Sequence, residues 1–128
     1  MSVAVGFVAV ATGGALGACA RYALALYLQS SSSAFPYATL LANLMGALLA
    51  GFLVSVFMSR SLVDTPMYLL LISGFLGSFT TLSAFSVETL KLFHSGAVLL
   101  AMANVVITVT GALIAVGAGF WLGTSLAR

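Results

Sequence analysis

Polar positions in this chain gather into a few clusters, and the stretches between them are long, apolar and almost free of charge. The first stretch carries no charged side chain from Met1 to Ala20 and stays apolar through Arg21 to Leu28, which predicts a helix from about Val3 to Leu28. Gln29 to Ser33 breaks it, and Pro36 follows as a second loop signal. A second helix is predicted from Tyr37 to Met58, a loop from Arg60 to Pro66, and a third helical segment from about Met67 to Leu92 with Glu88 and Lys91 on its last turns. His94, Ser95 and Gly96 end that segment, and Ala97 to Leu126 forms the last apolar stretch. A bilayer core about 30 Å thick needs about 20 helical residues, so each stretch is long enough to cross. Barrel strands would alternate in polarity over about ten residues, and these runs do not alternate. The pattern predicts an all-α membrane protein, a single domain over residues 1–128 with four transmembrane helices.

Composition leads to the same solvent. The chain is 62% hydrophobic and 5% charged, with a mean hydropathy of +1.25, whereas a water-soluble domain is roughly a quarter charged. The net charge of +2 comes from four scattered basic residues, which form no cluster able to neutralise a run of phosphates, so no nucleic-acid partner is expected. Cys19 is the one cysteine and His94 the one histidine, too few for a disulfide or a four-ligand zinc site, and Cys19 is read as packing material. The stretch Leu16-Gly17-Ala18-Cys19 looks like a lipoprotein processing box and Ala18-Cys19-Ala20 like a signal-peptidase site, but a secretory signal needs a basic region first and no Lys or Arg precedes Arg21. Processing is not expected.

In the four-span reading, Arg60 and Arg128 lie on the side of the N-terminus and Arg21 and Lys91 on the other. Orientation follows the excess of Lys and Arg in cytoplasmic loops. A two-against-two balance permits insertion both ways up, unless the α-amino group or a lipid effect breaks the tie. Small residues spaced four apart, at Gly13 and Gly17, Gly46 and Ala50, Ala47 and Gly51, and Gly119 and Gly123, let helix backbones approach closely, either within one subunit or between two. A four-helix chain has little room for a wide aqueous path, which places any pathway between subunits.

The third segment holds the chemistry. From Gly74 to Ser86 it carries two glycines and five hydroxyl residues, a composition that fits a helix unwinding briefly at membrane depth. Non-helical backbone there must be buried in protein or line a polar cavity, and transporters use such breaks to form ion sites. A kinked but continuous helix is the alternative. Asn43 and Asn104 are the amides of the second and fourth spans, each either helix glue or a donor on a pathway. Arg21 either anchors a helix end or raises the local anion concentration. Glu88 is a functional candidate by depth or a partner of Lys91. Phenylalanines beside hydroxyl donors can turn a weakly positive ring edge toward an anion.

The order of motifs resembles the small fluoride channels called Fluc or CrcB: Gly13-Gly14-Ala15-Leu16-Gly17 with Arg21-Tyr22, Thr39-Leu40-Leu41-Ala42-Asn43 with Gly46 and Gly51, and Gly74-Phe75-Leu76-Gly77 through Thr80-Thr81-Leu82-Ser83-Ala84-Phe85-Ser86 with Glu88. The resemblance implies an antiparallel dual-topology homodimer in the bacterial inner membrane, with two anion paths that export fluoride passively. It implies a structural sodium ion at the dimer interface, held by backbone carbonyls of Gly77 and Thr80. It further implies that Asn43, Thr81, Ser83, Ser86, Glu88 and Phe85 line the path, with Leu82 where the family has a second phenylalanine, and that Arg21 stands at the vestibule. Ala84 replaces a usual threonine, Ser78 a usual glycine and Ala38 the glycine before Thr39. Loss of one ring leaves an aliphatic wall without a quadrupole, and a member so altered could need a different partner subunit. Two other readings stand beside the channel: a proton-coupled exporter of small cations, which needs Glu88 to titrate in the substrate cavity, and a non-conducting assembly protein. An enzyme is not expected, since Glu88 and His94 face different directions on a helix and no activated nucleophile is visible.

Overall fold

Lipid cannot hydrogen-bond the backbone, so a chain this apolar must satisfy its amides internally, and helices do so residue by residue. A computed structural model describes residues 2–28 and 34–126. Among them the chain is helical throughout its long elements: α1 Val3–Leu28, α2 Tyr37–Ser59, α3 over residues 66–79, α4 Leu82–His94 and α5 Val98–Leu126. Together α3 and α4 form one interrupted span, Pro66–His94, so four helical spans are long and apolar enough to cross a membrane. The predicted first loop, Gln29 to Ser33, lies outside the described residues, as does Arg128 of the charge count.

Two glycine-lined contacts organise the bundle. In the first, α1 packs along α3: a Cβ on Gly13 would overlap the Leu70 carbonyl, one on Gly17 the Phe75 carbonyl, and one on Gly74 would come within 2.8 Å of the Val10 carbonyl. In the second, α2 packs along α5: a Cβ on Gly51 would overlap the Val116 carbonyl, one on Gly119 the Leu48 carbonyl, and one on Gly123 would come within 2.7 Å of the Phe52 carbonyl. Most of the small-residue spacings therefore serve packing inside one chain. Gly46 instead abuts the Thr80 side chain, while Ala47 and Ala50 border an outer groove. Cys19 is exposed, so it does not pack within the chain: it falls on the face of α1 turned away from the Gly13 and Gly17 contact.

Two features of the third span go beyond the sequence pattern. Residues Leu69–Leu76 are π-helical, a form that adds a residue to the turn. Then Thr80 (φ −81°, ψ 156°) and Thr81 (φ −153°, ψ 119°) are extended, so the expected unwinding is present and the continuous-helix alternative is excluded. The connections are tight. At the end of α4, Gly96 adopts φ +79°, with Gly96 N donating to Phe93 O at 3.0 Å and Ala97 N to Leu92 O at 2.9 Å, the glycine-terminated turn that reverses the chain. At the end of α2 the same pair of bonds forms around Ser61, Ser61 N to Met58 O at 3.1 Å and Leu62 N to Phe57 O at 2.9 Å, but there a non-glycine residue takes φ +55°.

Candidate functional site

Two side chains divert the helical bonds at the break. In a regular helix Thr81 N–H would donate to the Gly77 carbonyl and Ala84 N–H to the Thr80 carbonyl. Here Thr81 N donates to Asn43 Oδ1 at 2.8 Å, and Ala84 N donates to Thr81 Oγ1 at 3.2 Å. The second bond is an N-cap that starts α4. Both diversions leave a carbonyl without its helical donor, at Gly77 and at Thr80. Asn43 Nδ2 also donates to the Thr81 carbonyl at 3.2 Å, so one amide grips both backbone groups of Thr81. On the other side of the break Arg21 Nε donates to the Ser78 carbonyl at 3.0 Å, replacing the Leu82 N–H that helical geometry would have supplied. Thr80 Oγ1 donates back to Leu76 O at 2.9 Å, closing the end of α3.

A groove of about 620 Å³ runs past the break, bordered by Asn43, Gly77, Thr80, Thr81, Leu82 and Phe85, with Thr108 and aliphatic residues of α5 opposite. It is open on the outside of the bundle, and Leu82 on its edge is 76% exposed. A second, smaller pocket of about 260 Å³ lies between α1, α2 and α4, where Arg21, Tyr22, Thr39, Ala84 and Glu88 meet. Thr39 Oγ1 donates to Glu88 Oε1 at 2.9 Å, and Glu88 Oε2 is buried with no protein hydrogen-bond partner. Glu88 thus turns to α2, while Lys91 stays exposed.

The structure brings most of the sequence candidates to one of these two places. Asn43, Thr81, Leu82, Phe85, Gly77 and Thr80 border the groove, and Arg21 and Glu88 border the pocket. Ser83 stands between, its Oγ 3.3 Å from Thr81 Oγ1. Ser86 is exposed and donates to Leu82 O at 2.9 Å, which occupies its proton. Asn104 is buried in the α4–α5 contact, donating to Thr89 Oγ1 at 2.9 Å. Its amide thus links α5 to α4 and does not border the groove.

Thr39 and Thr108 enter the site without having been singled out. Thr39 has a signal in the sequence: Thr39 and Asn43 fall one turn apart on one face of α2, the two polar side chains of its first half after Tyr37. Asn104 and Thr108 repeat that spacing on α5. Among the described residues no group of three His, Cys, Asp or Glu could hold a metal.

Residues 8–120 match the family described as CrcB-like protein, Camphor Resistance (CrcB). The chain is 39% identical, over 123 residues covering 95% of it and 89% of the relative, to a fluoride-specific ion channel FluC of Legionella pneumophila subsp. pneumophila strain Philadelphia 1. It is 37% identical over 128 residues, 99% of this chain and 98% of the relative, to one of Ruminiclostridium cellulolyticum. A FluC of Chloroflexus aurantiacus strain J-10-fl is 41% identical over 120 residues, 90% of this chain and 95% of that one.

Proposed function

The chain belongs to the CrcB family, and from that premise we propose that it is a fluoride-selective channel: it lets fluoride leave the bacterial cytoplasm passively, through two pores of an antiparallel dual-topology homodimer in the inner membrane. The function class is transport and not catalysis. The observation that carries the reading is the break at Thr80 and Thr81, clamped by Asn43 beside a groove that opens outward. A second copy seated over that groove would turn an open wall into an enclosed path.

Fluoride is small and strongly hydrated, so it enters a membrane only where donors replace its water. The donors must also let go, because conduction needs binding that is favourable enough to enter and weak enough to leave. Uncharged groups meet both demands. Asn43 commits one Nδ2 proton to Thr81 and keeps its second for an ion. Thr81 and Ser83 have two hydroxyl protons and one mutual contact, which leaves one proton for an ion. Ser86 must turn its proton away from Leu82 O to take part. Phe85 offers a ring edge, and Leu82 offers only an aliphatic wall. The Arg21 guanidinium, with Nε held by Ser78 O, raises the anion concentration at the vestibule. The Glu88 carboxylate keeps an anion from settling nearby, which shortens its stay.

The same break suits a sodium ion at the contact between two copies. Hard cations take oxygen donors, and unwound carbonyls coordinate sodium in membrane proteins. The carbonyls of Gly77 and Thr80 have lost their helical donors and border the face a second copy would cover, so they are the oxygens that would hold it. A bound sodium would fix the two broken helices against each other.

Liposomes loaded with fluoride test the reading. Purified protein is expected to discharge fluoride well above the rate of protein-free vesicles while retaining chloride. A leak no faster than that of protein-free vesicles would refute it.

A further inference from the structure

We propose that Asn104 is a positioning residue for the Phe85 ring, acting through a directed chain of hydrogen bonds that ends on the Phe85 carbonyl; the inference rests on the channel reading above. The chain starts at Thr108 Oγ1, which donates to Asn104 Oδ1 at 3.4 Å. Asn104 Nδ2 donates to Thr89 Oγ1 at 2.9 Å, and Thr89 Oγ1 donates to Phe85 O at 2.7 Å. Thr89 has one hydroxyl proton and spends it on Phe85, so it can only accept from Asn104, and every bond in the series points toward Phe85. Aligned bonds polarise one another in a low-dielectric interior. Burial makes that interior real: Asn104 is 1% exposed, Thr108 7% and Thr89 8%.

The need for such a device follows from the break. Because Thr80 and Thr81 are extended, α4 inherits neither rotation nor depth from α3, and side chains must set both. Asn43 holds its first turn and Thr39 holds Glu88 on the α2 side. On the α5 side the Asn104 chain does so, and it ends on the residue whose ring borders the groove. Thr108 borders the same groove, so the chain runs behind the wall and joins two of its lining residues. A helical threonine hydroxyl reaches only the carbonyl three or four residues back, so the placement of Thr89 is what makes Phe85 the end of the chain.

The test is a double-mutant cycle in liposomes. Asn104→Leu and Thr89→Val are each expected to slow fluoride efflux about tenfold, the scale of a lost interhelical hydrogen bond read as a rate, while Thr89→Ser keeps the wild-type rate. In a Phe85→Leu background, Asn104→Leu is expected to add no more than about a twofold change, because residues that act through one another are not additive. Equal losses in both backgrounds, or unchanged efflux in folded Asn104→Leu protein, would overturn the proposal; Thr89→Val carries the same cycle if Asn104→Leu does not fold. A fluorine probe separates this from failure of the channel reading. With trifluoromethyl-phenylalanine placed at position 85, Asn104→Leu is expected to move the ¹⁹F resonance whether or not the protein conducts. An unmoved resonance sinks the proposal, whereas a wild-type protein without efflux sinks the channel reading alone.

Discussion

Between α2 and α5 glycine meets carbonyl from both sides, Gly51 on Val116 and Gly119 on Leu48, and both helices run unbroken for 23 and 29 residues. The third span begins in the same manner, with Gly74 pressed against α1, but six residues later its helix stops. The difference lies in who satisfies the backbone. Beyond their first turns, the amides of α2 and α5 find their partners within their own helix, so the two backbones can pack closely. At the break between Thr80 and Thr81 that service passes to side chains, Asn43, Arg21 and the Thr81 hydroxyl, and the Gly77 and Thr80 carbonyls go without their helical donors. One contact makes a scaffold, and the other makes a site.

Changes that strike each region should separate these roles. The largest effect is expected from Asn43→Leu, which strands the Thr81 N–H and leaves the Thr81 carbonyl only its helical bond from α4; at about 1–3 kcal/mol for the donor left unpaired, it should both lower the melting temperature and abolish fluoride efflux. Gly51→Ala strikes the scaffold: overpacking against the Val116 carbonyl should cost about 1–3 kcal/mol, and the protein that survives should keep the wild-type preference for fluoride over chloride. A change in that preference would show that the scaffold also tunes the site. Thr81→Val removes the cap of α4 and should cost about 1 kcal/mol with reduced efflux, both restored by Thr81→Ser. The smallest effect, about 0.5–1 kcal/mol of added stability, is expected from Ser61→Gly, which relieves a left-handed residue outside both regions and should leave efflux untouched.

The four spans and the break were legible because charge, proline and hydroxyl clustering mark them directly. Asn43 was legible as a lone amide in an apolar helix, although its grip on Thr81 was not, since the partners are 38 residues apart. The Thr39–Glu88 bond joins residues 49 apart, and the sequence offered the nearer Lys91 instead. The choice between glue and donor for Asn104 needed the facing helix. The π-helical turns left no trace for a deeper reason. Helix periodicity is read from the alternation of an apolar face with a polar one, and Leu69 to Leu76 is apolar on every face apart from Ser73 and Gly74.

Those wide turns bear on how the chain can change its length. Deleting one residue from α2 or α5 would swing everything beyond it by about 100°, tearing glycines from the carbonyls they touch. Within Leu69–Leu76 a single deletion can be absorbed by tightening the wide turns to ordinary ones, leaving Thr80 and Thr81 facing as they do now. The segment is therefore the span's slack, where one-residue length variation is compatible with an unmoved site.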